Sequence, residues 1–191
     1  MANVSMHVQA DFGPLTAAMA TLSNGEIVKA IRAGVDGAAR DARRETMVAM
    51  AADMGIPQSR FRDATPLVQG SSAATLTATW RVSKLRIGIA NVAGASISKG
   101  SGLSASVHRL NPGKSTALRL PKAFQVKANG GSFIAVRKGS ARKPIKAIYG
   151  EHPATSLAQP GPVQELWKRT ATRSLSERLG TAVQAALDNR R

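Results

Sequence analysis

The chain has 191 residues, 43% of them hydrophobic, which is enough for one domain with a core and excludes wholesale disorder. Its 27 Lys and Arg residues outnumber 11 Asp and Glu residues, and the formal charge of +16 attracts polyanions and acidic protein surfaces. The lack of Cys excludes disulfides and thiolate metal sites. Since it has no membrane-length apolar run and no signal-peptide pattern, we expect a soluble protein with no membrane partner.

Residues 1–66 are predicted to form an N-terminal helical part. Apolar and polar residues alternate over residues 4–8, which predicts a short edge strand. A long helix is predicted from Asn24, which can cap it, to Gly55 and Pro57, which end it. Apolar residues recur along one face of this helix: Ile27, Ile31, Val35, Ala38, Ala42, Thr46 and Met50.

The other face of this helix is charged. Asp36 and Arg40 stand four residues apart, and Asp41 and Arg44 stand three apart, so each pair is adjacent on a helix surface. We therefore predict a solvated, ion-paired face. A short helical turn is predicted behind it at residues 60–63.

Residues 74–150 are predicted to form a basic β part. Strict alternation over residues 75–82 predicts a strand that buries Leu76, Ala78, Trp80 and Val82. The alternation then shifts by one residue, because the next apolar residues, Leu85, Ile87 and Ile89, stand at odd-numbered positions. We expect a bulge or tight bend at Ser83 and Lys84 to separate the two segments.

Two more β features are predicted in this part. Residues 103–109 alternate and precede a loop at residues 111–113, so they are expected to form a strand. Residues 124–128 and 131–136 flank Asn129-Gly130, a pair that readily takes the positive φ angles of a tight turn. This arrangement predicts a β-hairpin.

Residues 160–191 are predicted to form the C-terminal helical part. Its helix is expected from about Val163, after a link that contains Pro153, Pro160 and Pro162. Its apolar residues repeat at helical spacing: Val163, Leu166, Trp167, Thr170, Leu175, Leu179, Val183 and Leu187. Such a stripe must cover an apolar surface, either in the same chain or in a neighbouring subunit.

No sequence pattern points to an active site. Gly113-Lys114-Ser115 resembles the end of a phosphate-binding loop, but His108 stands where the leading Gly is required. Residues 100–105 fit a dinucleotide fingerprint, yet the next segment alternates like a strand and no acidic residue follows until Glu151. The three His residues lie far apart, without a metal-binding pattern. We predict no enzyme activity, no cofactor and no metal.

The positive charge is concentrated in the β part. No acidic residue occurs between Asp63 and Glu151. The same stretch holds Arg81, Lys84, Arg86, Lys99, Arg109, Lys114, Arg119, Lys122, Lys127, Arg137, Lys138, Arg142, Lys143 and Lys146.

The densest basic segment lies within FIAVRKGSARKPIKAIYG, residues 133–150. It is predicted to leave a strand where Gly139 loosens the backbone, and Pro144 removes one backbone donor. An apolar foot, spaced like one helical turn, is predicted to anchor the loop: Ile145, Ile148 and Tyr149. The form suits a phosphate and an acidic protein surface equally.

The run SFIAVRKGSARKPIKAIYGEHPATSL resembles the minor tail protein Z family of long-tailed phages and prophages. In that family an FIA strand, a basic turn, an R-x-PI element and a YGP-like element occur in this order. The matching positions are Phe133-Ile134-Ala135, Arg137-Lys138, Arg142 with Pro144-Ile145, and Tyr149-Gly150. Glu151-His152 intervenes before Pro153, where the family has Pro directly after Gly. The family's N-terminal and C-terminal helices fit residues 24–54 and 163–189.

The resemblance implies a structural virion protein that completes the head-proximal end of the tail, in head–tail joining and DNA positioning. It would sit in the virion, and in the host cytoplasm during assembly, beside the tail terminator and head–tail connector proteins. A homo-oligomeric ring in the virion is also implied. The partner-binding residues would be Arg137, Lys138, Arg142, Lys143, Pro144, Ile145 and Tyr149.

We favour an acidic protein surface as the target of this loop, because its apolar residues add contact area that phosphate binding does not require. A sequence-independent nucleic-acid-binding module is the alternative, supported by charge alone and weakened by the few aromatics near the loop. An assembly chaperone that is absent from the virion is a third possibility, which the sequence does not separate from the first.

The fold is predicted to be α+β, a single domain over residues 1–191. The long N-terminal helix is expected to pack on a twisted, mainly antiparallel sheet over residues 74–137, completed by the amphipathic C-terminal helix. The expected core is Ile27, Ile31, Val35, Leu76, Trp80, Val82, Ile87, Ile89, Val107, Phe133, Leu166 and Leu175.

Overall fold

The computed structural model describes residues 4–9, 24–60, 68–128 and 131–188. Over these ranges the chain has the predicted α+β fold. The strands are β1 (Val4–Gln9), β2 (Thr77–Val82), β3 (Ser96–Ser98), β4 (Gly102–Val107), β5 (Thr116–Leu120), β6 (Phe124–Ala128), β7 (Gly131–Arg137) and β8 (Ile145–Ala147). The helices are α1 (Asn24–Met54), α2 (Thr155–Ala158) and α3 (Pro162–Asp188).

Helix α1 begins and ends as its sequence predicts. Gly55 has a φ of +63°, a left-handed conformation that favours Gly. The Gly55 amide donates to the Ala52 carbonyl at 3.3 Å, and the Ile56 amide donates to the Ala51 carbonyl at 3.0 Å. These two bonds close the last turn and redirect the chain. The 3-10 helix Gln58–Arg60 follows, while residues 61–63 of the predicted turn lie outside the described residues.

Helix α3 packs antiparallel on α1, so its apolar stripe covers its own chain. Gly34 of α1 faces Leu179, where an added Cβ would lie 2.8 Å from the leucine Cδ2 and would prevent this close approach. At the other end, the rings of Trp167 and Trp80 lie with centroids 5.1 Å apart. No helix in the described ranges is both long enough and apolar enough to cross a bilayer.

Part of the charged face of α1 is a contact surface for α3, which corrects the prediction of a wholly solvated face, while Arg40 and Arg44 are exposed as predicted. Asp41 keeps its predicted partner Arg44 at 3.3 Å, but it also accepts hydrogen bonds from Ser174 and Arg178, both at 2.7 Å. Further along α1, the Glu45 carboxylate accepts hydrogen bonds from the Thr170 hydroxyl at 2.8 Å and the Arg173 guanidinium at 3.0 Å. Polar bonds therefore flank the apolar seam between the helices.

The strands pair antiparallel in three sheets rather than in the one predicted sheet: β1-β2, β3-β4-β5 and β6-β7-β8. The predicted β6-β7 hairpin is confirmed, since Ala128 pairs with Gly131, although its Asn129-Gly130 turn lies outside the described residues. The predicted bend after β2 becomes a longer irregular segment in which Leu85 is 52% exposed. Because this segment leaves the sheet, β2 and β4 are not neighbours.

The core lies between α1, α3 and the inner faces of the sheets. Of the predicted core, seven residues are buried: Ile31, Val35, Trp80, Val82, Ile87, Ile89 and Val107. Five are half-buried: Ile27, Leu76, Phe133, Leu166 and Leu175. The prediction that Phe133 lies in the core was wrong. In β7 it is Ile134 that packs in the core, and Phe133 lies on the other face of the strand.

Candidate docking surface

The predicted basic loop is the connection between two paired strands. Strand β7 ends at Arg137 and β8 begins at Ile145, and these two residues pair across the ladder. The Lys138 amide donates to the Pro144 carbonyl at 3.1 Å, which adds one bond beyond the ladder. The loop, residues 138–144, is therefore held at both ends, and its Lys143–Pro144 peptide bond is cis.

All the loop side chains predicted to bind a partner are exposed. Lys138, Arg142, Lys143 and Pro144 are solvent-facing, and none is paired in the described part of the chain with a carboxylate within 4.0 Å. Because there is also no acidic residue nearby in sequence, the positive charge of the loop is not neutralised locally. The basic loop can therefore meet an anionic partner directly.

The predicted apolar foot is a strand and not a helical turn. Ile145 is half-buried in β8, whereas the Tyr149 side chain is 54% exposed. Ile148 packs against the core, as predicted for the foot. The backbone adds two bonds: the Ile148 amide donates to the Ile134 carbonyl at 2.8 Å, and the Gly150 amide donates to the Ile87 carbonyl at 2.7 Å. Ile148 and these backbone hydrogen bonds, rather than a buried tyrosine, anchor the segment.

Arg137 has a role of its own among the predicted site residues. Its guanidinium carbon lies 5.3 Å from the centroid of the Phe124 ring, within the range of a cation–π contact. Arg137 thereby covers an aromatic ring that would otherwise be open to bases. The contact also fixes a cation at the edge of the β6-β7-β8 sheet.

A second polar cluster joins three segments of the chain. The buried Asp53 carboxylate accepts hydrogen bonds from Ser156 Oγ at 2.7 Å and from Asn111 Nδ2 at 2.8 Å. His108, with a φ of +59°, places Nδ1 3.5 Å from Asp53 and Nε2 3.8 Å from Glu151. The cluster borders an open cleft of about 310 Å³.

The geometry of this cluster indicates a structural role, in which hydrogen bonds hold three segments together. The Ser156 hydroxyl donates to the carboxylate of Asp53, so it is not paired with the imidazole of His108 as an activated nucleophile would be. Among the described residues, no three His, Asp or Glu side chains are placed to hold a metal ion. Asp53 therefore uses its lone pairs to bind the end of α1 to the segments around β4 and α2.

The chain matches no protein-family model, no curated protein and no solved structure. Sequence reasoning located the basic loop and the strand before it. It missed β8, because three residues are too short for a periodic signal. It also did not show which side of β7 faces the core, because residues 133–136 are all apolar and alternation is absent.

Proposed function

We propose that this chain is a structural tail-completion protein of a long-tailed phage or prophage. It acts at the head-proximal end of the tail, where its basic loop, residues 138–144, contacts an acidic surface of a neighbouring tail terminator or connector subunit. The residues that resemble the minor tail protein Z family support the assignment to a tail. The geometry of the loop supports a docking role.

One observation carries the docking role: three exposed cations, Lys138, Arg142 and Lys143, lie in a single loop that paired strands hold at both ends. A loop ordered before binding loses less conformational entropy when it docks than a free segment would. Uncompensated charges on such a loop steer an acidic partner during encounter. Together these properties suit a contact that must form once and in one orientation.

Nucleic acid is the second candidate target of the loop, and the excess of positive charge favours it. Single-stranded binding sites combine such charge with aromatic rings on which bases stack. Here Phe124 is covered by Arg137, and Tyr149 is the one exposed aromatic side chain beside β8 in the described part of the chain. The surface therefore suits phosphate contacts and acidic proteins better than stacked bases.

Charge reversal in the loop tests the proposal. We expect Arg142→Glu with Lys143→Glu to give folded protein, normal heads and tails of normal length, but few infectious particles in a complementation assay. Exposed charges contribute little to stability, whereas reversed charges repel an acidic partner. Lys99→Glu with Arg119→Glu is the matched control, because both residues are exposed, lie in the β3-β4-β5 region and give the same change in net charge.

Wild-type infectivity of the loop variant, with the variant protein incorporated normally, would contradict the docking role. An equal loss of infectivity in the control variant would also contradict it, because the effect would then follow net charge and not the loop.

A further inference from the structure

The two three-stranded sheets of the protein differ in their outer faces. In β3-β4-β5, the face turned away from the core carries Ser104 opposite Arg119 and Ser106 opposite Ala117. The inner face holds Leu103, Ala105 and Val107, which are buried. This sheet has the usual arrangement of one apolar and one polar face.

In β6-β7-β8 the outer face is apolar as well. Ile134 and Val136 of β7 pack with the main core, so the opposite parity faces away from it. Directly opposed residues share a face, which places Val126 with Phe133 and Phe124 with Ala135 and Ala147 on that outer side. We call this set, completed by Ile145, the outer face: Phe124, Val126, Phe133, Ala135, Ile145 and Ala147.

The outer face is not part of the hydrophobic core. None of its six residues belongs to the main core cluster or packs against it among the described residues. Ala135 at its centre is buried, while the five others are half-buried. The five half-buried side chains leave part of this apolar face accessible beside a charged loop, and contiguous accessible apolar surface marks protein interaction sites.

Charge around the outer face indicates what it binds. Arg137 lies on this face, over Phe124, and the basic loop continues from it. Lys122, exposed two residues before β6, lies at the same end, because Phe124 pairs with Ala135. The apolar centre is therefore bordered at one end by cations and by no acidic residue of its own sheet.

A second copy of this chain is a poor source of the complementary charge, because it carries the same formal charge of +16 and like charges repel. The carboxylates of Asp41, Glu45 and Asp53 are bonded to partners within the chain, and Glu165 pairs with Lys168 at 3.0 Å. Duplex DNA would satisfy the cations but would leave the apolar centre without a partner. The surface that satisfies both is a different protein that presents apolar side chains flanked by carboxylates.

We propose that the outer face binds such a segment, with its apolar side chains on Val126, Phe133 and Ile145 and its carboxylates on Arg137 and the basic loop. This binding site rests on the geometry of the sheet and goes beyond the proposed function, with which it shares the cations of the basic loop.

Peptide binding tests the inference. The probe is a synthetic peptide with a leucine and valine centre flanked by glutamates; in one comparison peptide lysines replace the glutamates, and in the other serines replace the leucines and valines. We expect the first to bind best. Val126→Thr with Phe133→Thr should weaken its binding by roughly tenfold, because two apolar contacts are lost while β propensity is kept. Arg137→Gln should weaken it severalfold.

The matched control lies on the other face of the same two strands. Gln125→Thr with Ser132→Thr changes exposed residues that face away from the outer face, and peptide binding should stay within about twofold of wild type. Circular dichroism and thermal melting identify folded variants, and Arg137→Gln keeps the test decisive if the double threonine variant does not fold.

Equal binding by the Val126→Thr, Phe133→Thr variant and its control would overturn the inference, as would equal binding of the acidic and lysine peptides. Duplex DNA binding that depends on Val126 and Phe133 would also overturn it, in favour of a nucleic-acid site. Peptide binding through the outer face, with full infectivity of the loop variant, would remove the docking role proposed for the loop and leave this inference standing. A tail-defective loop variant, with peptide binding indifferent to the outer face, would remove this inference alone.

Discussion

Asp53 joins distant segments of the chain through a buried carboxylate. Its carboxylate is fully buried and accepts hydrogen bonds from the Leu110 amide, from Asn111 and from Ser156. These donors come from segments more than fifty residues away in sequence. Without the carboxylate the buried Ser156 hydroxyl would have no acceptor, which costs more than its hydrogen bond contributes, and the half-buried Asn111 amide would lose a partner.

We therefore expect Asp53→Ala to lower the free energy of unfolding by about 3 kcal/mol, measured by urea denaturation. Asp36→Ala is the control, because half-buried Asp36 accepts a hydrogen bond from the Ser71 amide at 2.6 Å, and we expect a loss of about 1 kcal/mol there. Equal decreases in the free energy of unfolding for the two variants would show that the Asp53 cluster does not hold the three segments together.

Substitutions at Tyr149 and Ile134 test whether the tyrosine side chain helps to anchor the loop. Tyr149 is 54% exposed, so Tyr149→Ala should cost less than about 1 kcal/mol. Ile134 is buried in the core, and Ile134→Ala should cost roughly 3 kcal/mol. Thermal or urea unfolding measures both, and a large loss for Tyr149→Ala would restore the buried tyrosine foot that the sequence suggested.

At the scale of elements, the contact between α1 and α3 makes a pH-dependent contribution to the stability of the protein. The guanidinium of Arg178 donates to Asp41 at 2.7 Å and, with the Ser174 hydroxyl, holds the pKa of that carboxyl below its ordinary value of 3.8. A group whose pKa is depressed by folding stabilises the native state above its unfolded pKa. That contribution is lost as the pH falls through the native pKa.

We expect Asp41→Asn to destabilise the protein at pH 7, and the difference from wild type to shrink as the pH falls below 3.8. Urea unfolding of both proteins over this range measures the difference directly. A difference that stays constant down to the acid limit would mean that the aspartate contributes by shape and not by charge.

The sequence was informative where a pattern is long or a turn is specific. Helix α1 has a periodic apolar face and a left-handed Gly55 at its end, and the β6-β7 hairpin follows from its alternation and short turn. The sequence was least informative about tertiary pairing. The Asp53 cluster joins segments that are distant in sequence, and no local periodicity records such contacts. Strand β8 pairs with the nearby β7, but its three residues are too few for a periodic signal.

The candidate site shows the same limit. The loop charges could be read directly from residues 137–146, because charge is a local property. The outer face could not, because β7 is apolar at consecutive positions from Phe133 to Val136, and only the packing of the whole sheet decides that Ile134 faces the core. When both alternate sets of side chains in a strand are apolar, the sequence does not decide which set faces the core.

At the scale of the whole molecule, a charge of +16 predicts DNA binding without sequence preference. We expect the logarithm of the binding constant to fall linearly with the logarithm of salt concentration, by about 0.9 for each phosphate contacted. Arg142→Glu with Lys143→Glu should reduce that slope, and a salt titration by fluorescence anisotropy measures it. Sequence-selective binding that survives high salt would contradict this account and favour a nucleic-acid-binding module.

We propose that the chain is a structural component of the head-proximal end of a tail. Electron microscopy of purified tails, made with and without this protein, tests it most directly. We expect density at the head-proximal end that is present only in the first sample, and that takes a label attached to the protein. Identical tails in both samples, a label at the opposite tip, or absence of the protein from mature particles would contradict the claim.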